Sequence, residues 1–155
     1  MRQAAYPILF LLVALALLRP SGLHASTEIT LEVIVHASSK VERLSAYELE
    51  ALFTRTQTRW TDGSPVIPFS FPASSEPRML FDRVALRLLP DQVGRFWLDH
   101  RIRGLGLPPK QVPSASLMLQ VVANLTGAIG YVPATRNHAG VKVVARIQQG
   151  KVVAP

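Results

Sequence analysis

Residues 30–53 read TLEVIVHASSKVERLSAYELEALF, and this stretch decides the fold class. Residues 30–35 alternate and then run apolar, rich in β-branched side chains, which predicts a strand with a buried end. Ala37-Ser38-Ser39-Lys40 is a loop. Ser45 then opens a helix. Ser45-Ala46-Tyr47-Glu48 is a capping box, in which hydroxyl and carboxylate each satisfy a backbone N–H at the helix start. Leu44 and Leu49 stand at the two positions of a hydrophobic staple, and Leu49, Leu52 and Phe53 give the buried face. A strand followed by an amphipathic helix is the unit from which α/β domains are built.

The alternation continues downstream. Residues 54–60 are polar and lead into the turn cluster Trp60-Thr61-Asp62-Gly63-Ser64-Pro65. Residues 66–71 read as a second strand, short or at an edge because Pro68 has no N–H to give. A second helix is expected from Arg78 to about Leu89, with Met79, Leu80, Phe81, Val84 and Leu88 on its apolar side. Ser74 or Ser75 is its cap, and Pro77 is tolerated in the first turn. Pro90-Asp91 starts a third helix to about Ile102, with Val93, Phe96 and Trp97 inward. Residues 103–113 form a loop. Ser114 or Ser116 caps a fourth helix through Leu125, with Gly127 as its left-handed stop. Residues 128–132 and 141–147 are two more strands. The expected fold class is α/β: a sandwich with a mixed sheet flanked by helices.

The N-terminus has the three-part pattern of a secretory signal. Arg2 gives a positive start, residues 8–18 (ILFLLVALALL) are unbroken apolar, and Leu23-His24-Ala25 ends on a small residue. The apolar run has 11 residues, whereas a membrane span needs roughly 20. Residues 1–25 are therefore read as a cleaved signal peptide and residues 26–155 as one domain, 130 residues long. The chain has no cysteine. This excludes a lipidated N-terminal cysteine and disulfides, so packing alone holds the domain. The expected localisation is periplasmic, without a stable membrane anchor.

Without Arg2 and Arg19 the chain keeps 15 basic and 10 acidic residues, and 11 of the basics are arginine. They are scattered, with no run and no aromatic interleaving, so nucleic acid is not an expected partner. A small anion or an anionic envelope surface is the better use of that field. His36, His100 and His138 lie far apart and make no metal-spaced pair. No serine lies in a Gly-x-Ser-x-Gly elbow and no P-loop is present. No cofactor, metal or enzymatic activity is expected. Ser74-Ser75, at a helix start just after a strand, is a place where free N–H groups and hydroxyls can hold an anion, with Arg78 one turn in; ordinary capping is the other reading. Trp60 either packs on the helix end or lines a ligand mouth.

The order of these motifs carries a resemblance. Leu44-Ser45, then Leu49-Glu50-Ala51-Leu52-Phe53-Thr54, Arg59-Trp60-Thr61-Asp62-Gly63, Phe81, and Thr126-Gly127-Ala128-Ile129-Gly130-Tyr131-Val132 together resemble the phosphate-binding protein of the phosphate ABC transporter, within the type 2 periplasmic binding protein superfamily. The resemblance implies one lobe of a two-lobed clamp plus a hinge strand, with no counterpart to the first-lobe phosphate loops. Of the second-lobe Ser-Gly-Thr motif only Ser75 carries over, with Glu76 and Pro77 following. With the residues read above, the expected site for weak binding of phosphate or another small anion is Ser74, Ser75, Arg78 and Trp60. A protein-interaction or sensor-accessory module in the envelope, docking a partner protein or forming a homodimer, is the alternative.

Overall fold

The computed structural model describes residues 29–155; the predicted signal peptide lies outside them. The chain runs β1 (Leu31–His36), α1 (Ala46–Phe53), β2 (Ile67–Ser70), α2 (Glu76–Ala85), α3 (Pro90–Ile102), β3 (Lys110–Gln111), α4 (Ala115–Asn124), β4 (Ala128–Pro133), β5 (Val141–Gln148) and β6 (Lys151–Val153). One sheet has the strand order β3-β2-β4-β1-β5-β6. β2 runs parallel to β3 and β4, while β1 is antiparallel to β4 and β5, and β6 to β5. The expected mixed sheet with flanking helices is present.

β1 is the central strand, between β4 and β5. Covered on both faces, it reads as a near-continuous apolar run rather than a strict alternation. Side chains on β4 alternate across the sheet. Tyr131 points to one face, where its ring stacks on Phe81 with centroids 4.0 Å apart and meets Phe53 and Phe71 at 5.9 and 5.5 Å. These phenylalanines place α1, α2 and the end of β2 on that face. Gly130 points to the other face, and a Cβ there would stand 2.5 Å from Met118 Sδ and 3.3 Å from Val122 Cγ2 of α4. The glycine lets α4 lie close on the sheet.

The capping box of α1 forms as expected. Glu48 N–H donates to Ser45 Oγ at 3.3 Å and Ser45 N–H donates to Glu48 Oε2 at 2.8 Å. Leu44 and Leu49 are both buried. The chain entering α1 is also tied to the sheet: the β1–β5 register slips between Val33 and Ile34, leaving Val144 as an extra residue whose carbonyl accepts from Leu44 N–H at 2.8 Å. β2 is short, as Pro68 required, but it is not an edge strand. Ser70 C=O accepts from Val112 N–H on the β3 side, and by the two-residue period Pro68 faces that side too. β3 begins only opposite Phe69, so the missing N–H leaves no ladder bond unmade.

Several boundaries differ from the expectation. β3 lies within the expected loop, and β6 follows a turn at Gln149-Gly150, both with positive φ, as the tightest hairpins require. α2 starts at Glu76 and stops at Ala85; Asp82 C=O accepts from both Leu86 and Leu88 N–H, and Arg87 turns left-handed at φ 54°. Its buried side is Arg78, Phe81, Asp82 and Ala85 together with Leu80, while Met79, expected inward, is 40% exposed. α3 is the peripheral helix: Trp97 is buried, Val93 and Phe96 half-buried. α4 is capped by Ser114, which accepts from Leu117 N–H at 3.3 Å. Gly127 is left-handed as expected (φ 86°), though it falls beyond the helix end rather than directly on it. Among the described residues no helix is long and apolar enough to cross a membrane.

Candidate functional site

β2 ends at Ser70, and six residues later, at Glu76, α2 begins. Pro72 C=O accepts from both Ser75 N–H (3.0 Å) and Ser75 Oγ–H (2.7 Å). Ser75 is therefore the N-cap by position, but its hydroxyl closes the preceding turn and caps no helix N–H. Ser74 is exposed beside it, and Glu76 stands exposed in the first turn. Pro77 occupies the first turn and gives no N–H there.

Arg78, expected to serve an anion or a solvated face, does neither. It is 4% exposed, and its Nε donates to both oxygens of Asp82, itself 5% exposed, at 2.8 and 2.7 Å. Nη1 donates to Ser70 Oγ at 2.9 Å and to Phe71 C=O at 3.3 Å. Burial pushes the Asp82 carboxyl above its ordinary range, more than the charge and hydrogen bond of Arg78 pull it down. The spacing of four residues is the helical one for such a pair. Since side chains at i and i+4 share a face, burying Phe81 and Ala85 carries both charges inward with them.

Trp60 lies elsewhere. Its Nε1 donates to Gly127 C=O at 3.1 Å, immediately before β4, and Ile67 at the start of β2 pairs with Ala128. Trp60 thus marks the beginning of the parallel pair β2–β4, whereas Ser74 and Ser75 follow the end of β2. The structure brings Ser74, Ser75 and Arg78 to one end of the sheet and Trp60 to the other. There Trp60 lines a polar cleft of about 400 Å³ with His36, Ser38, Lys40, Asp62 and Thr126. Among the described residues no group of three or more His, Asp or Glu is arranged to hold a metal.

A second buried charge was not singled out by the sequence. Glu32 on β1 is 4% exposed. His138 Nε2 approaches its Oε2 at 2.7 Å, Thr135 N–H donates to the same oxygen at 3.2 Å, and Arg146 Nε donates to Oε1 at 3.3 Å. The cluster pins the loop after β4 to the central strand. Burial by itself would raise the Glu32 carboxyl, but the hydrogen bonds from His138, Thr135 and Arg146 outweigh it and hold the group below its ordinary value. A carboxyl depressed in the folded state contributes stability above its unfolded pKa, and that contribution fades as pH falls through the folded value. In urea denaturation, Glu32→Gln is therefore expected to be clearly less stable than the wild type at pH 7. The gap should close as pH falls from about 5 toward 3. A gap of constant size would mean that Glu32 acts through packing alone.

No family model and no curated protein matches the chain. Solved structures match its fold. A putative phosphate ABC transporter substrate-binding protein with bound phosphate from Clostridium perfringens aligns with TM-score 0.60 and 16% identity over 76% of this chain and 44% of that one. An ABC-type phosphate transport receptor from Vibrio cholerae gives TM-score 0.60 and 18% identity over 76% and 46%. A possible phosphate binding protein from Planctomyces limnophilus gives 0.58 and 14% over 76% and 41%. The chain has the α/β fold of these substrate-binding proteins and spans less than half the length of each.

Proposed function

We propose that this protein is an exported, non-enzymatic substrate-binding-protein-like domain of the periplasm, with residues 1–25 as its signal peptide and at most weak affinity for phosphate or another small anion at Ser74 and Ser75. The likeness in fold to proteins of phosphate transport supports the binding class. The start of α2 supports the location, since first-turn N–H groups have no partner within a helix and attract anions.

The observation that carries the weakness is the closure of Arg78 on Asp82. The guanidinium that could have neutralised an anion already has a buried carboxylate on it, Ser75 Oγ–H is committed to Pro72, Pro77 supplies no N–H, and Glu76 repels. Charge-assisted hydrogen bonds are worth roughly 1.5–3 kcal/mol each, and a tight anion site needs several. Calorimetric titration of the purified protein with inorganic phosphate is expected to give a Kd on the order of 1 mM or weaker. Sub-micromolar binding would overturn this reading.

A second reading, a protein-interaction module of the envelope, is favoured by one observation. On α3 and the loop after it, Leu98, Ile102, Leu105 and Leu107 are all more than half exposed. Leu98 and Ile102 stand at i and i+4 of α3 and so share one stripe of the helix, with Leu105 and Leu107 in the loop that follows. Chemical crosslinking of the protein in its native envelope distinguishes the readings: an adduct through this stripe, to a partner or a second copy, supports interaction.

A further inference from the structure

We propose that the protein pairs with a second copy of itself through α3, the two helices lying antiparallel about a twofold axis at Leu98. The proposal rests on the second reading above, that the exposed side of α3 is a docking surface, and names its occupant. Leu98 and Ile102 stand one turn apart on α3, both exposed. The chain then closes on the helix end: Leu105 N–H donates to His100 C=O at 2.9 Å, which holds the exposed Leu105 there. Large apolar side chains grouped in water carry a cost that a partner surface removes.

Gly94 continues the same row of the helix, four residues before Leu98. It is exposed in mid-helix, and a Cβ there would meet nothing within 4 Å. Glycine within a helix is unfavourable relative to alanine, and no neighbour in its own copy asks for it. It lines a hollow of about 280 Å³ whose walls include Met79, Pro90 and Val93. With the axis at Leu98, Ile102 of the second copy lies level with Gly94. A branched apolar side chain then meets the one position of the row that has none, and the axis repeats the contact on the other side.

Charge names the partner. The adjacent row of the helix surface reads Asp91, Arg95, Asp99, Arg103, changing sign every four residues. Each acid pairs with the arginine one turn on, at 2.8 Å, on the exposed surface. A row that alternates negative, positive, negative, positive is complementary to itself when reversed. In the antiparallel pair Arg95 of each copy stands within one turn of Asp99 of the other, and Asp91 within one turn of Arg103. A symmetric parallel pair would set each charge level with its own kind. Arg101 lies on the other side of the apolar row, and the axis sets it about 9 Å along the helix from its own counterpart, close to the screening length.

Sedimentation equilibrium of the purified protein, from about 10 µM to about 1 mM, is expected to show a reversible dimer with a Kd on the order of 100 µM, since two helices of 13 residues bury less than a standard interface. Asp99→Arg sets cation against cation across the axis and should weaken the dimer about tenfold. Adding Arg95→Asp breaks both ion pairs within each helix yet leaves the row self-complementary, and should bring the dimer back to within about threefold of the wild type. Gly94→Leu should weaken pairing without lowering the melting temperature. Leu98→Cys, in a chain with no other cysteine, should form a disulfide-linked dimer in air, whereas Tyr47→Cys, exposed on α1, should not. The proposal is overturned if the wild type stays monomeric throughout, if the double variant pairs no better than Asp99→Arg, or if both cysteine variants crosslink equally. An adduct of the stripe with a different protein, from a chain that is monomeric on its own, would overturn the self-pairing and leave the docking reading standing.

Discussion

Arg78→Met is expected to destabilise the protein by about 3–5 kcal/mol at pH 7, the cost of leaving one member of a buried ion pair without the other. Asp82 would lose the cation that pairs with it, and Ser70 Oγ and Phe71 C=O would lose a donor in the same step. The loss should shrink in acid. The Asp82 carboxyl is already raised by burial, and without Arg78 it rises further, so it takes up a proton and sheds the buried charge. The double variant Arg78→Met, Asp82→Leu should recover most of the loss, because two apolar groups in contact have no charge to desolvate. Urea denaturation of the wild type, both single variants and the double variant, at pH 7 and pH 5, closes the cycle. A double variant no more stable than Arg78→Met would show that packing around the guanidinium stem, not the charge pair, holds this end of α2.

The second large effect is expected at Gly127. Its φ of 86° lies in the left-handed region, and a Cβ there would stand 2.5 Å from Pro65 O. Gly127 C=O also accepts from Ile67 N–H at 3.0 Å and from Trp60 Nε1 at 3.1 Å. The clash cannot be relieved by moving a flexible side chain, because the obstacle is backbone. Displacing it would pull on the bond that starts the β2–β4 pairing. Gly127→Ala should cost about 2–5 kcal/mol, combining strain and steric conflict. Gly63→Ala is the control. It has nearly the same φ, 84°, with nothing within 4 Å, and should cost only about 1 kcal/mol from conformation alone. Equal losses at the two sites would mean that φ, not the approach of Pro65, decides.

Where local chemistry dominates, the sequence was a sound guide. Ser45 and Glu48 form the capping box as their spacing dictates, because both partners lie within four residues of each other. β1 was recognisable from its β-branched run, and Gly127 from its place between a helix and an apolar strand. Where partners are distant, the sequence was silent. Glu32 reads as the polar member of an alternating strand, and only the fold brings Thr135, His138 and Arg146 to it. β3 has two residues and no periodicity to detect; the parallel neighbour β2 makes it a strand. The rotation of α2 is the instructive case. Met79, Leu80, Phe81, Val84 and Leu88 suggested an apolar side that left Arg78 outward. The aromatic cluster around Tyr131 fixed Phe81 inward and drew in Arg78 and Asp82. The clue was available, since opposite charges four apart straddling Phe81 can enter a core together. Trp60 was separated from Ser75 for the same reason: chain order places them near one another, and a strand carries them to opposite ends.

The strand order has a consequence for when the chain can fold. β1 is complete near the start of the described residues, yet its partners are β4 and β5: Leu31 pairs with Pro133 on one side and Ile147 on the other. A chain emerging N-terminus first must hold its central strand unpaired until almost all the rest has followed. Closure of so long a loop precedes any reward from the sheet, which makes such pairings slow. The topology therefore acts as a timer. It delays the compact state until the final strands emerge.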